Sequence, residues 1–491
     1  MNNLIVKKKI STCISKRGYS IIKSKFDPSI IDECKSDLTV KPYINQEYGA
    51  NNTSFSIYLE SIKKLYLPKY YGIQKFGEPD EIKLNNGDCI DLEFKGTLRD
   101  KQVPVIEKFL NSCEEGSLLY KSKGGIISVG CGFGKTICAL YILTKLKKKT
   151  LIVVHKEFLM NQWIERIEEF IPDARVGKIQ GSTINVENKD IVLAMLQSIS
   201  MKDYDTDIFS TFGFTIVDEC HHIAAEVFSK ALPKINSFYS LGLSATPNRS
   251  DGMSKVFNLY LGPMIYKSNN ADGKSVMVNI INYHDTNKDY CKEELIYGKP
   301  CIPKMINNIT NNENRNKLIV FLAKKLVDDN RQVLILSDRR NHLSYLYGLI
   351  NKFTTVGYYI GGMKQKDLNM SEKANVILGT FTMSSEGLDI PTLDAAIFTT
   401  PKSNIEQSIG RITRKAHNTL PIAFDIVDCF SIFTNQLKKR EKIYRKLKYT
   451  LNYGELYIND KLSEGKLELM LDNIKEKKSM SKTKSTCLIE L

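Results

Sequence analysis

Short hydrophobic runs alternate with amphipathic stretches over residues 126–246. The runs are IISV (126–129), TLIVV (150–154), IVLAM (191–195), FTIV (214–217) and YSLGL (239–243). In one interval between them, hydrophobic residues recur at helical spacing, namely Phe158, Leu159, Trp163, Ile167 and Phe170. Short strands separated by helices are typical of a parallel sheet with both faces covered, so the pattern predicts an α/β domain.

A second alternation of the same kind begins near residue 312. A helix is predicted from Arg315 to Leu326, and LSYLYGLI and IEQSIGRI also have helical patterns. The candidate strands are QVLILS (332–337), TVGYYI (355–360), NVILGT (375–380), AAIFTT (395–400) and PIAFDIV (421–427). This region is predicted to be a second α/β domain.

Composition changes along the chain suggest where these domains end. Residues 1–93 form a mixed, aromatic-rich N-terminal accessory region, and the first α/β domain is predicted over 94–266. Residues 267–311 are rich in Asn, Asp, Lys and Gly, as expected of a linker or insertion. The second domain is predicted over 312–435. Residues 436–491 are predicted to be a basic helical extension, KKREKIYRKLKYTL, followed by a disordered polar tail from about residue 473.

The charge and cysteine content narrow the class of protein. The 491 residues carry a net charge of +15, which favours a polyanionic partner such as nucleic acid. No apolar run approaches the roughly 20 residues of a membrane helix. The 11 cysteines never occur as CxxC, which argues against a disulfide framework or a zinc ribbon and favours a reducing compartment over secretion.

The segment VGCGFGKT (129–136) lies between a predicted strand and a predicted helix, as a phosphate-binding loop does. Its glycines would let backbone N–H groups close around phosphate oxygens, and Lys135 would neutralise the β- and γ-phosphates. The Thr136 hydroxyl would bind Mg²⁺. The residues predicted to bind nucleotide here are Gly130, Cys131, Gly132, Phe133, Gly134, Lys135 and Thr136.

The segment FTIVDECHH (214–222) places two carboxylates at the end of a hydrophobic strand. In an open α/β sheet that end faces the ligand. Asp218 would hold Mg²⁺, and Glu219 would orient and deprotonate the attacking water. The alternative is a zinc site formed by Cys220, His221 and His222, but their spacing is poor for tetrahedral coordination. Cys220 is more simply a small buried residue, and His221 a polar group that couples neighbouring loops.

Three further motifs carry candidate polar groups. In LGLSATPNRSDG (241–252), Ser244 and Thr246 would link hydrolysis to movement. In QSIGRITR (407–414), the polar side chains at helical spacing are Gln407, Arg411 and Arg414. They would contact the γ-phosphate of a nucleotide bound to the other domain, and the two arginines would stabilise transition-state charge as arginine fingers. In TFTMSSEGLDIP (380–391), Gly387 and Asp389 form a predicted turn that would sense ribose or a nucleic-acid backbone.

The motifs CGFGKT, DECH, SAT, GTFTMSSEGLDIP and QSIGRITR occur in the order found in superfamily 2 helicases. The likeness covers about residues 94–430, and GLSATPNRSDG resembles the branch that contains XPB and phage UvsW. CGFGKT, the chain length and TSFSIYLESIKKLYLPKYYGIQKFG (53–77) resemble the transcript-release helicases of poxviruses and their relatives in other large cytoplasmic DNA viruses.

The resemblance implies an α/β fold class with two tandem RecA-like domains, each a parallel sheet flanked by helices. A small N-terminal domain and the basic helical extension would accompany them. It also implies ATP and Mg²⁺ as cofactors, bound in a cleft between the two domains. Gln102 in LRDKQ (98–102) would contact the adenine base.

The activity implied is ATP-dependent helicase or translocase action in viral transcription, such as transcript release. The implied location is the host cytoplasm, in viral factories, and the virion. The partner is nucleic acid, with DNA favoured over RNA by SATPNRSDG. Candidate contacts to the strand are His155, Lys156, Gly181, Gln197, Ser198, Ser337, Arg339, Gly361 and Thr380.

Other functions remain open on the sequence. Pro79-Asp80 followed by Glu93-Phe94-Lys95 matches a permissive pattern of Mg²⁺-dependent nucleases. An RNA helicase, or a remodeller that uses ATP as a switch without unwinding, fits the same motor motifs. A binding protein with a decayed site is disfavoured by the intact Lys135, Asp218 and Glu219.

Overall fold

The computed structural model describes residues 10–41, 54–114, 123–130, 132–220, 225–245, 254–268, 275–287, 289–290, 292–386, 388, 390–413, 419–458 and 462–476. The chain divides into two compact units, Met1–Asn269 and Asn270–Leu491. No helix in these described ranges is long and apolar enough to cross a membrane.

The first unit begins with a small, mostly antiparallel sheet. Its strands and helices are β1 (Thr12–Ser15), β2 (Gly18–Ile22), α1 (Pro28–Asp37), β3 (Thr39–Val40), β4 (Phe55–Ser56), β5 (Leu59–Glu60), β6 (Lys64–Leu67), α2 (Lys69–Phe76) and β7 (Glu81–Ile82). The sheet order is β5-β6-β2-β1-β7, and β3 pairs separately with β4.

This N-terminal region packs against the rest of the first unit through buried polar contacts. The Lys69 ammonium donates to the Ser237 carbonyl at 3.1 Å, and Lys69 is 1% exposed. The Tyr260 hydroxyl donates to the Ile57 carbonyl at 2.8 Å. Burial lowers the pKa of the Lys69 ammonium to about 7. The N-terminal region is therefore part of the core of the first unit.

The remainder of the first unit is a sheet covered by helices. Its elements are α3 (Val103–Cys113), β8 (Gly124–Ser128), α4 (Lys135–Leu146), β9 (Thr150–Val154), α5 (Glu157–Phe170), β10 (Val176–Gln180), β11 (Thr183–Ile184), β12 (Ile191–Met195), α6 (Leu196–Met201), β13 (Phe214–Val217), α7 (Ala225–Ala231), β14 (Tyr239–Ser244), α8 (Ser254–Leu261) and β15 (Met264–Lys267). The strand order is β11-β10-β12-β9-β13-β14-β8-β15.

Five of the six interior strands of this sheet were expected from the hydrophobic runs, and the sixth, β10, was not. The segments predicted at 150–154, 191–195 and 214–217 coincide with β9, β12 and β13. From β10 to β15 along the sheet all pairings are parallel, and only β11 pairs antiparallel with β10. Every residue of β9 and β13 is buried, as in a sheet with both faces covered.

The second unit contains another mainly parallel sheet. Its elements are β16 (Met277–Asp285), β17 (Leu295–Ile296), β18 (Lys299–Pro300), α9 (Ile302–Asn311), α10 (Glu313–Asp328), β19 (Gln332–Leu336), α11 (Arg340–Ile350), β20 (Val356–Tyr359), α12 (Gln365–Ser371), β21 (Val376–Gly379), α13 (Phe381–Glu386), β22 (Leu393–Phe398), α14 (Glu406–Ile409), β23 (Ile422–Asp428), α15 (Ser431–Lys446), β24 (Thr450–Ile458), α16 (Glu464–Asp472) and β25 (Lys475–Glu476). The order is β20-β21-β19-β22-β23-β16-β24-β25. The predicted α/β fold class, with two parallel sheets flanked by helices, is confirmed.

The second unit departs from the sequence prediction at both ends. Strand β16, within the expected linker 267–311, lies between β23 and β24 in the sheet interior. In the expected helical extension, α15 ends at Lys446, and β24 then pairs with β16 along its whole length. Both segments complete the sheet, so the linker assignment of 277–285 is wrong. The expected basic helix is present to Lys446, but the strand β24 at Thr450–Ile458 and the paired strand β25 at Lys475–Glu476 were not expected.

Two buried ion pairs lie within the second unit. Arg315 donates to Asp428 through Nε at 2.7 Å and Nη2 at 2.9 Å, and the two side chains are 0% and 1% exposed. Arg440 on α15 binds Asp425 in the same two-bond manner, at 2.8 and 3.0 Å. The paired charges and the several hydrogen bonds offset the cost of removing these ions from water.

Candidate functional site

The phosphate loop occupies the turn between β8 and α4. Gly132 and Gly134 have φ angles of 76° and 93°, in the left-handed region that favours glycine. A Cβ atom on Gly130 would meet no atom within 4 Å, so its backbone faces open space. Helix α4 begins at Lys135, which places its N-terminal N–H groups beside the loop.

Gln102 is 2% exposed and hydrogen-bonds to this loop. Its Nε2 donates to the carbonyls of Phe133 at 3.2 Å and Gly134 at 3.3 Å. Its Oε1 accepts from the Arg99 N–H at 2.8 Å. The expected adenine contact stays a prediction, since both ends of this amide already bind the chain in this conformation.

Lys135 and Glu219 meet across the loop. Lys135 Nζ lies 2.7 Å from Glu219 Oε1, and the two side chains are 12% and 16% exposed. Glu219 has φ of 45°, a left-handed conformation that is unfavourable for a residue with a Cβ atom. This strained backbone directs a carboxylate toward the phosphate-loop lysine.

Asp218 lies deeper, at the end of β13, and is 6% exposed. Its Oδ2 accepts from Trp163 Nε1 at 2.8 Å, and its Oδ1 accepts from the Glu219 N–H at 2.9 Å. Burial raises the pKa of the Asp218 carboxyl, and the Glu219 charge raises it further, whereas Lys135 and the Trp163 hydrogen bond oppose the rise.

The parallel register brings the remaining first-unit motif to the same place. Strands β13, β14 and β8 are neighbours, and Ser244 at the end of β14 pairs with Ser128 at the end of β8. The Ser244 carbonyl accepts from the Val129 N–H at 3.1 Å. The phosphate loop, the acidic pair and Ser244 therefore share one edge of the sheet. Thr136 lies in the first turn of α4 at this edge.

The alternative zinc ligands are only partly described. Cys220 is buried, and burial raises the pKa of its thiol to about 12. In the ranges that the structure covers, no group of three or more His, Cys, Asp or Glu side chains could hold a metal ion. The predicted site residues outside the described ranges are Cys131, His221, His222, Thr246, Gly387, Asp389 and Arg414.

The five nucleic-acid candidates of the first unit lie at the carboxyl ends of β9, β12 and β10, which are adjacent strands. Gln197 Nε2 donates to the His155 carbonyl at 2.8 Å, and Lys156 follows in sequence. The Gly181 N–H donates to the Ser198 hydroxyl at 2.9 Å. Hydrogen bonds thus join candidates from three different motifs along the same sheet edge as the phosphate loop.

Candidates in the second unit also follow adjacent strands, β19, β21 and β20. The Ser337 N–H donates to the Gly379 carbonyl at 3.1 Å, and the Thr380 N–H donates to the Tyr359 carbonyl at 3.4 Å. The Gly361 carbonyl accepts from Arg340 Nη2 at 2.7 Å. The candidates of the second unit therefore lie together at the edge of its sheet formed by the carboxyl ends of these strands.

The side chains of two of these candidates, Ser337 and Arg339, hydrogen-bond to other residues of the second unit. Ser337 is 0% exposed, and its hydroxyl contacts His342 Nδ1 at 3.0 Å and accepts from the Arg339 N–H. Arg339 donates to Asn307 Oδ1 at 2.7 Å and to the Pro303 carbonyl at 3.0 Å. In this conformation the Ser337 side chain is not accessible to a ligand.

The arginine motif is less helical than its spacing predicts. Helix α14 ends at Ile409, so Gln407 lies in the helix and Arg411 in the turn that follows. Arg411 is 4% exposed, and it donates to the carbonyls of Ser384 at 2.6 Å and Leu388 at 2.9 Å. These contacts tie the guanidinium to the segment after β21.

The structure adds three residues that the motif analysis did not assign. Trp163 binds Asp218, Arg99 donates to the Gly132 carbonyl at 3.3 Å, and Arg340 binds Gly361. Trp163 is the chain's only tryptophan, and a polar indole N–H on a buried helix face is the signal that singles it out. Arg99 and Arg340 adjoin predicted motifs but have no signal of their own.

Comparison with known proteins identifies relatives over most of the chain. The family model described as "Type III restriction enzyme, res subunit" matches residues 95–249. A protein of Acanthamoeba polyphaga mimivirus, named as a candidate ATP-dependent RNA helicase, is 40% identical over 94% of this chain and 90% of its own. A candidate helicase of Invertebrate iridescent virus 6 is 28% identical over 86% of this chain and 96% of its own.

Among solved structures, phage T4 UvsW is similar over 88% of this chain and 96% of its own, with 18% identity. Its TM-score of 0.35 is too low to support the fold assignment. The mimivirus relative is decisive, because its identity extends over nearly the whole of both chains. This chain belongs to the superfamily 2 helicases of large DNA viruses.

Proposed function

We propose that this chain is an ATP-dependent nucleic-acid helicase or translocase. The observation that carries the proposal is the meeting of Lys135, Asp218 and Glu219 beside the phosphate loop at one sheet edge. Family membership supports it, since the mimivirus relative is named for ATP-dependent RNA helicase activity. That name also makes an RNA helicase the second candidate.

The geometry suggests how the chain's own groups act on ATP as the substrate. The loop N–H groups and the N-terminus of α4 attract the phosphates. Lys135 then exchanges its Glu219 partner for phosphate oxygens. The exchange frees the Glu219 carboxylate to accept a proton from the attacking water. In this proposal the ion pair holds both groups in position until the substrate separates them.

Magnesium fits the donors at this edge. The Thr136 hydroxyl and the Asp218 carboxylate would hold the ion, and both are the oxygen ligands that Mg²⁺ prefers. Asp218 is buried beside a second carboxylate, so a cation compensates its charge once Lys135 turns to the phosphates. Bound Mg²⁺ would neutralise charge on the phosphates.

In each unit, nucleic acid is proposed to bind at the sheet edge that carries the candidate contacts. Main-chain and small polar groups predominate there, which suits contacts to a backbone more than readout of sequence. The net charge of +15 agrees with a polyanionic track. Duplex DNA is the favoured track, and a role in viral transcription in the host cytoplasm is part of the proposal. The roles of Gln407, Arg411 and Arg414 stay predictions.

The test is steady-state ATP hydrolysis by the full chain with no nucleic acid, single-stranded DNA, duplex DNA or RNA. Stimulation by DNA, reduced about 10²–10⁴-fold in Glu219→Gln, is expected if Glu219 is the general base. Stimulation by RNA alone would move the assignment to an RNA helicase. An unchanged rate in Glu219→Gln would overturn the proposed site.

A further inference from the structure

Helix α15 presents two faces of different chemistry. Its buried residues are Phe433, Leu437, Arg440 and Tyr444, which recur at spacings of three and four. At about 100° per residue they occupy an arc of about 60° around the helix. This face packs onto β23, where Arg440 and the Tyr444 hydroxyl bind Asp425.

From Lys438 to the end of the helix, the exposed residues of the opposite face are all basic. These residues are Lys438, Lys439, Lys442, Arg445 and Lys446. At the same angular step these five fall within an arc of about 120°, centred nearly opposite the buried face. The helix contains one acid, Glu441, and its carboxylate accepts a hydrogen bond from the Tyr453 hydroxyl.

Among the residues that the structure describes, most of these cations have no carboxylate partner. Within the described ranges, Lys438, Lys439, Lys442 and Arg445 form no ion pair with a carboxylate. Lys446 approaches Glu406 at 3.3 Å, but its side chain is 60% exposed. Like charges on adjacent helical turns repel, so this face is destabilising unless a polyanion covers it.

Helix α10 of the same unit provides a contrast. Its exposed residues mix the two signs, with Lys317, Lys324 and Lys325 alongside Glu313 and Asp328. Mixed signs are typical of a helix surface that only meets solvent. The uniform sign on α15 is thus a property of that helix and does not extend to the whole unit.

We infer that the basic face of α15 is a docking surface for the phosphate backbone of duplex DNA, outside the sheet-edge candidates. From Lys438 to Lys446 the helix rises about 12 Å. Over that length a duplex carries about seven phosphate charges and a single strand about half as many, so five cations suit the duplex. The inference rests on the proposed function and adds a second contact with the same partner.

The test measures duplex-DNA affinity by fluorescence anisotropy between about 50 and 200 mM salt. The variant Lys438→Gln/Lys442→Gln/Arg445→Gln removes three exposed charges while keeping good helix formers. The control Lys317→Gln/Lys324→Gln/Lys325→Gln removes the same charge from α10. Thermal unfolding of both variants verifies that the fold is intact.

The slope of log affinity against log salt is expected to flatten by about 2.7 in the α15 variant. Its affinity loss across this salt range is then about 40-fold smaller than that of the parent chain. The control is expected to keep the parental slope. Equal slopes in the two variants would overturn this inference alone. It would also be overturned if the α15 variant lost affinity for anionic lipid vesicles or for RNA but kept its affinity for duplex DNA. A parent chain that binds no nucleic acid would overturn the proposed function as well.

Discussion

Two ion pairs of the same length occur in opposite settings in the two units. Lys135–Glu219 spans 2.7 Å with both side chains partly exposed, and Glu219 has a strained backbone. Arg315–Asp428 also spans 2.7 Å, but it is fully buried and has a second hydrogen bond at 2.9 Å. The Tyr290 hydroxyl donates a third to Asp428.

In the proposed mechanism a ligand replaces one partner of the Lys135–Glu219 pair, whereas the Arg315–Asp428 pair stabilises the fold. A lysine that water still reaches can move to a phosphate, because the single bond to Glu219 is replaced by bonds to phosphate oxygens and the carboxylate that it leaves is partly exposed. A buried pair joined by several hydrogen bonds cannot lose one partner without leaving an uncompensated charge. Distance alone does not distinguish the two, whereas burial and the number of hydrogen bonds do.

The largest expected effect comes from breaking the buried pair. Asp428→Ala leaves the Arg315 guanidinium without its carboxylate and is expected to lower the free energy of unfolding by about 3–5 kcal/mol. Chemical denaturation measures this change. Glu468→Ala removes an exposed acid from α16 in the same unit and is the matched control. A loss equal to that of the control would remove the contrast between the two pairs.

Breaking the partly exposed pair is expected to affect activity instead. Lys135→Ala should lower nucleic-acid-stimulated ATP hydrolysis by about 10²–10³-fold, the usual cost of removing one group that stabilises transition-state charge. Its free energy of unfolding should fall by less than that of Asp428→Ala, because the Glu219 carboxylate left behind is partly exposed. ATPase assays and chemical denaturation of the same preparation test both halves. A large destabilisation with activity retained would reverse the distinction.

Trp163 tests the comparison further, because among the described residues it is the one side-chain hydrogen-bond donor to the buried Asp218 carboxylate. Trp163→Phe removes the hydrogen bond to Asp218 and is expected to cost about 1.5–3 kcal/mol of stability. The ATPase should also require more Mg²⁺, since Asp218 then protonates more readily. In an Asp218→Asn background the stability cost should shrink. An equal cost in both backgrounds would assign the effect to packing.

The most gradual effect concerns Lys69, a buried cation that binds a carbonyl instead of a carboxylate, because it is spread over several pH units. Its pKa is about 7 in the folded chain, against an ordinary value of 10.5. Between these values the unfolded chain holds a proton that the folded chain lacks. The free energy of unfolding therefore rises with pH from about 7 to 10, by at most about 1.4 kcal/mol per pH unit.

Denaturation of the parent chain and Lys69→Met at several pH values tests this dependence. The variant cannot titrate at this position, so its stability should rise less steeply with pH. The same slope in both proteins would show that Lys69 keeps its proton in the folded state.

The sequence was sufficient where local pattern decides structure. Strands β9, β12 and β13 were predicted residue for residue, since an unbroken apolar run suits a strand covered on both faces. The candidate catalytic groups of the first unit also lie together, because parallel strands bring their carboxyl ends to one edge.

The sequence did not predict the elements whose structure depends on partners far away along the chain. Strand β16 reads as a polar linker because Asn279 and Asn282 interrupt its apolar residues, and its partners β23 and β24 come much later in the chain. The burial of Arg411 against the Ser384 carbonyl is likewise set by tertiary packing. Helical spacing alone gives no indication of either contact.

The pairing of β16 with β24 has a consequence for synthesis on the ribosome. Asn282 and Glu455 pair across these strands although 173 residues separate them. At roughly 5–20 residues per second, β16 waits on the order of 10–30 s before that partner is made. For most of that interval both of its edges lack their partner strands and are open templates for unwanted strand pairing. Nascent chains that stall before residue 450 are therefore the species most in need of a chaperone.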